Sequence, residues 1–223
     1  MLRIRFTKEG NAVWISHLDL MRLLQRAFRR AGILLKHSQG YSPHPELSIL
    51  LPLSVGVSSQ CELADFSLDE EDAHSSSPVE QIPALLNPVL PAGIRVLECY
   101  EGGQKPGRIG WLKARLTLCY DGGIPDGAED AIAALFARKT LPVEKHSKKG
   151  PVEVDILPML RELHLQRRDE KALVLEAMTA AQNPTLNPLL LVTAIEGNLP
   201  ELKPDFTLCR RIELYDTELE IFQ

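Results

Sequence analysis

Apolar and charged side chains alternate through "LRIRFTK", residues 2–8, which is the period-two pattern of a half-buried strand. From Ser16 the period lengthens. Leu20, Leu23, Leu24, Ala27, Phe28 and Ala31 recur at three- and four-residue spacing and share one helix face, while Arg22, Arg26, Arg29 and Arg30 occupy the other. Ser16 followed by Asp19 approximates a capping box, and Gly32 marks the end of the helix. A short strand is expected at Ile33–Lys36, then a loop rich in His and Pro, then an apolar run, "LSILLPLSVGV", expected to be core and to form one long strand from Leu47 to Val57 that continues through Glu62–Leu68. The composition of "EEDAHSSSPVE" reads as a loop, Pro78–Leu86 as a second helix ending before "NPVLPAG", and "IRVLECY" as a closing strand. The order β-α-β-β-α-β predicts a ferredoxin-like sandwich, an antiparallel sheet with both helices on one face.

The pattern then restarts. Strand Leu112–Tyr120, helix Gly127–Arg138, strand Leu141–His146, strand Ala172–Thr179, helix Pro188–Gly197 and strand Phe206–Tyr215 repeat the order, with an insertion, "KKGPVEVDILPMLREL", whose tail reads as a short helix. Lys36-His37-Ser38 with Gly40 recurs as Lys145-His146-Ser147 with Gly150, after the first helix of each half. The expected architecture is therefore α+β, with tandem ferredoxin-like domains at 1–102 and 111–223 joined by a glycine-rich linker at 103–110.

At 223 residues and 44% hydrophobic content the chain can bury ordinary cores. No apolar run approaches the ~20 residues of a membrane span, and the amino terminus reads as a strand, so a soluble, cytoplasmic protein is expected. Cys61, Cys99, Cys119 and Cys209 are too dispersed for a C-x-x-C metal site and are expected to be buried and reduced. The net charge of −5 conceals an asymmetry: residues 1–50 hold eight Lys/Arg against three Asp/Glu, residues 51–100 one against eight, residues 101–150 nine against six, and the remainder seven against thirteen. Local basic segments attract anions whatever the total charge.

Those segments hold the candidate chemistry. In "KHSQGYSPHP" a loop offering Lys36, His37, Tyr41, Ser42 and His44 follows a helix bearing Arg22, Arg26 and Arg29, combining cations with rings that stack on unpaired bases. The same residues also read as a stiff turn, with Pro43 and Pro45 holding the chain extended and Gly40-Tyr41 turning it. As an acid–base or metal set, His17, His37 and His44 lack an orienting carboxylate and a fourth ligand. In the second half "RKTLPVEKHSKKG" gathers Arg138, Lys139, Lys145, His146, Lys148 and Lys149, interrupted by one acid, Glu144.

The stretches "RIRFTKEGNAVWISHLDLMRLLQRAFRRAG" and "KHSQGYSPHPELSILLPLSVGVSSQCELADFSL" resemble a bacterial domain of unknown function linked to radical-SAM proteins. Its pattern is a strand, an "SHLDLMR" helix, a "G[YF]SPHP" loop and an "LPLSVGVSS" strand. A later "K-x-G-x-x-x-x-D" segment is matched by Lys148, Gly150 and Asp155. The resemblance implies a domain fused to, or neighbouring, a radical-SAM module, often near genes for ribosome and RNA processing. It points to His17, Asp19, Arg22, Lys36, His37, Ser42, Pro43, His44 and Pro45 as a functional surface. The chain lacks the C-x-x-x-C-x-x-C triplet of such modules, so an iron–sulfur cluster and S-adenosylmethionine are expected only in a partner, with no cofactor bound here.

These readings converge on a non-catalytic accessory module of a radical-SAM protein that binds or presents tRNA, rRNA or a ribosome-associated substrate. One alternative is an RNA-processing or RNA-modifying enzyme using His17, His37 and His44. Another is a protein-interaction adaptor that does not bind nucleic acid.

Overall fold

The computed structural model describes residues 1–69, 79–147 and 150–223, with the side chains of His146 and Ser147 excepted. The expected loop at 70–80 falls almost wholly outside the described residues, as do Pro78, Lys148 and Lys149. The chain is α+β and divides into two compact units, residues 1–106 with Gln223, and residues 107–222.

In the first unit the strands are β1 (Leu2–Lys8), β2 (Leu47–Ile49), β3 (Ser58–Phe66) and β4 (Ile94–Glu101), and the helices are α1 (His17–Arg30) and α2 (Ile82–Leu86). All pairings are antiparallel, in the order β4-β1-β3-β2. Ser16 caps α1 as the sequence predicts: its Oγ accepts the Asp19 amide at 3.2 Å and donates to the Asp19 carboxylate at 2.7 Å. Leu20, Leu24, Ala27 and Phe28 bury the apolar face, and Phe28 meets Phe66 of β3 with ring centroids 4.8 Å apart.

Three local expectations are corrected. The polar side of β1 is not uniformly wetted: Arg5 and Thr7 are half-buried, but Arg3 is buried and forms two hydrogen bonds with Asp65 of β3, at 2.6 and 3.0 Å. The run from Leu47 to Val57 is not one strand. β2 spans three residues, after which Pro52 cannot donate to a ladder and Gly56 turns with φ of +84°, leaving Val55 exposed and Leu51 and Leu53 half-buried. The strand expected at Ile33–Lys36 reduces to a single bridge, Leu35 to Leu68.

The second unit contains β5 (Ile109–Cys119), α3 (Ala128–Phe136), β6 (Pro142–Ser147), β7 (Gly150–Asp155), β8 (Leu160–Asp169), β9 (Ala172–Ala180), α4 (Leu189–Asn198) and β10 (Phe206–Asp216). Its main sheet is antiparallel in the order β10-β5-β9-β8. The strand expected at 141–146 does not enter that sheet. It is β6, half of a hairpin with β7, and the sheet position belongs to β8, whose first residues come from the stretch expected to be helical. Both Lys-His-Ser triplets prove to be hairpin arms between the first helix of a unit and its next sheet strand, with His37 opposite Pro45 and His146 opposite Pro151.

Candidate nucleic-acid interface

A helix whose apolar stripe is spent on the core presents its remaining side chains outward. On α1 these are basic: Arg22, Arg26, Arg29 and Arg30 are all exposed. They line an open groove of about 1120 Å³ whose opposite wall is Pro88, Val89, Leu90 and Pro91, the segment between α2 and β4. Arg30 ties the walls together by donating to Val89 O at 2.6 Å. Asp19 is the one acid in the lining; it pairs with Arg22 at 3.1 Å. Its hydrogen bond from Ser16, and then Arg22, holds its carboxyl below the ordinary carboxylate value. Four guanidiniums against one carboxylate leave the groove strongly positive. Arg26 and Arg29 have no acidic partner among the described residues, so their donors are available to an anion.

Arg26 and Arg29 also line a second depression of about 540 Å³, shared with His37 and Pro45 at the base of the "KHSQGYSPHP" hairpin. That hairpin is closed by Ser38 N–H to His44 O at 2.9 Å and Glu46 N–H to Lys36 O at 2.7 Å, and Ser38 Oγ lies 2.8 Å from His44 Nδ1. The geometry is that of a stiff arm, and Tyr41 stands fully exposed at its tip, with Ser42, Pro43 and His44 exposed beside it. Lys36 is exposed on the arm itself.

The structure thus brings Arg26, Arg29 and His37 to one depression and Arg22, Arg26 and Arg29 to one groove. His17 stands apart from His37. It opens α1, whereas the α1 residues lining the depression that holds His37 begin at Gln25, eight residues along, roughly 12 Å at the helical rise. His44 is committed to Ser38. Lys145 lies half-buried in β6 of the second unit, across from Val152.

Among the described residues no three His, Cys, Asp or Glu side chains gather as a metal site. The thiols are unbridged and lie on separate strands, three of them buried and Cys119 half-buried. No helix among the described residues is long and apolar enough to cross a membrane.

The Pro88–Pro91 wall carries no signal in the sequence, since it acquires meaning only when α2 and β4 bring it beside α1. Trp14 and Leu18, 70% and 66% exposed, were equally hidden, because an apolar residue in a core-forming pattern reads as core.

No curated protein matches the chain. Among solved structures it resembles a chain in a crystal structure of a Cbf5-Nop10-Gar1 complex, with 9% identity and a TM-score of 0.53; the alignment covers 96% of this chain and 48% of that one, so the chain spans about half the length of that relative. At that identity the likeness concerns the fold alone. An unknown protein from Galdieria sulphuraria aligns at 11% identity over 94% of this chain and 96% of its own, with a TM-score of 0.26. A bacterial family model matches residues 1–188, and the chain belongs to that family, DUF2344, described as an uncharacterized protein conserved in bacteria.

Proposed function

We propose that the chain is a non-catalytic accessory module, built of two ferredoxin-like halves, that binds RNA through the α1 groove and presents it to a radical-SAM partner. The observation that carries this reading is the groove: Arg22, Arg26, Arg29 and Arg30 face an uncharged wall, with a rigid hairpin carrying Tyr41 on the same unit. Guanidiniums hold phosphates bidentately, and an exposed aromatic ring stacks on an unpaired base. The ferredoxin-like description is supported by sheet orders in which the fourth strand precedes the first, third and second in each unit, once the β6–β7 hairpin is set aside as an insertion. The radical-SAM partner, which would hold the iron–sulfur cluster and S-adenosylmethionine, rests on the "SHLDLMR" and "SPHP" resemblance. A cytoplasmic setting accords with such a partner and substrate.

Fluorescence anisotropy of labelled total tRNA and a ribosomal RNA fragment tests the reading, with Arg22→Glu/Arg26→Glu/Arg29→Glu as the control chain. Binding by the parent that is clearly weakened in a folded triple variant supports the groove. Equal binding by both refutes it.

A protein-interaction adaptor has its own observation. Trp14 packs beside Gly56 and stays 70% exposed, with Leu18 at 66% and Val55 at 52% on the same unit. Exposed tryptophan is typical of interface anchors. A partner captured equally at low and high salt, and lost in Trp14→Ala, would favour this reading over RNA.

A further inference from the structure

The main sheet of the second unit has one buried face and a second face that is open along β8, β10 and part of β5, while Thr117 and the β9 residues there other than Glu176 are buried. Along β5, Leu112, Ala114, Leu116 and Leu118 are each 6% exposed or less, whereas Trp111 and Lys113 between them are half-buried and Arg115 is exposed. On this open side Arg115 and Lys113 share one carboxylate, Glu176 of β9, at 2.6 and 3.5 Å. Arg161 of β8 lies 4.5 Å from the centroid of the Trp111 ring. At the far end, Phe206 and Leu208 of β10 are 52% and 58% exposed, paired with Cys119 and Thr117, which are in phase with Arg115 along β5. The strand from Trp111 to Cys119 covers roughly 26 Å.

The distribution discriminates between occupants. A protein interface buries an apolar centre within a polar rim. Here the centre is ionic, Lys113 and Arg115 sharing one carboxylate, with Arg161 over the Trp111 ring at one end and Phe206 at the other. Rings at the ends of a basic track suit a single-stranded nucleic acid, whose bases stack on aromatic side chains while its phosphates follow the cations.

We infer that the open face of the β10-β5-β9-β8 sheet is a binding site for single-stranded RNA, separate from the α1 groove, with bases stacked on Phe206 and on the Trp111–Arg161 pair and phosphates held by Lys113 and Arg115. The site stands on its own elements and does not depend on the α1 reading.

The chain has two tryptophans, so Trp14→Phe leaves Trp111 as the sole indole reporter. Titrating that protein with a short oligouridine at low salt is expected to change Trp111 fluorescence saturably. Phe206→Ala, at a half-exposed position where truncation leaves the core intact, is expected to weaken binding on the order of ten-fold. Arg115→Glu is expected to weaken it further, while the α1 triple charge reversal leaves the Trp111 response in place. An unresponsive Trp111, or a Phe206→Ala chain that binds like its parent, overturns the sheet site. Loss of RNA binding in the α1 variant together with normal binding by Phe206→Ala would leave the α1 groove standing alone; the opposite pattern would leave the sheet alone.

Discussion

Arg3 would be a surface residue by the alternation of β1, yet it is 1% exposed and bonded to Asp65, itself 5% exposed. Burial works against its charge, but the hydrogen bonds and the nearby carboxylate outweigh that and raise its pKa. Removing one partner strands the other charge. Asp65→Ala is expected to destabilise the protein by about 3–5 kcal/mol, while replacing both residues with leucine costs less; denaturant unfolding of the single and double variants measures the difference. The buried thiols show the same dependence on surroundings. Burial pushes Cys99, Cys209 and the Tyr120 phenol up to about 12, from ordinary values of 9.0 for the thiols and 10.0 for the phenol. Each group loses its proton more readily when unfolded, so its contribution is fully present below the unfolded value and is lost as pH rises through the folded one. Stability measured by denaturant unfolding is expected to fall between about pH 9 and 12. At neutral pH, alkylation of the folded chain is expected to spare Cys99 and Cys209 and to begin at half-buried Cys119; early labelling of Cys99 would contradict the packing described for β4.

At the scale of elements, α1 was legible because three independent signals agreed: a 3.6-residue apolar period, the Ser16 cap and the Gly32 stop. Ser16→Ala should remove both hydrogen bonds to Asp19 and cost about 1 kcal/mol, a fall of roughly 2–4 °C in the melting midpoint of a chain this size. The entry to β4 is held differently. Gly93 sits at φ +90°, and a Cβ there would stand 2.2 Å from Glu9 O, while its own carbonyl accepts from Glu9 N–H at 2.8 Å. Gly93→Ala is therefore expected to destabilise by more than the ~1 kcal/mol of an ordinary glycine replacement, measured by the same unfolding assay. Misread elements have equally local causes. An unbroken apolar run such as "LSILLPLSVGV" fixes no phase, so where its strand stopped was decided by Pro52 and Gly56. In β8 the register shifts between Arg161 and Leu163, with Glu162 at φ +37°, and the extra residue separates Leu160 from Leu163 by three. A bulge thus gave a strand the spacing of a helix. β6 reads as a good strand and is one, but its partner is β7, and pairing choice is not written in either segment alone.

For the whole molecule, the charge asymmetry visible in the sequence corresponds to a surface in the first unit, where α1 places its arginines in one groove. The wall of that groove comes from residues some sixty positions later, which is why the cations were legible and the cavity was not. A chain of net charge −5 that binds RNA must do so through such a local field, and its affinity must fall with salt. In a plot of log affinity against log salt, the Arg22→Glu/Arg26→Glu/Arg29→Glu chain is expected to lose about one unit of slope for each phosphate contact removed, which anisotropy titrations across a salt series measure directly.

Photocrosslinking of the folded protein to thiouridine-labelled tRNA and ribosomal RNA fragments, followed by mass spectrometry of the attached peptides, tests the groove most directly. The account predicts crosslinks in α1, residues 17–30, and in the hairpin at Tyr41, both lost in the triple arginine variant. Crosslinks that avoid both segments, or that persist unchanged in that variant, would contradict it.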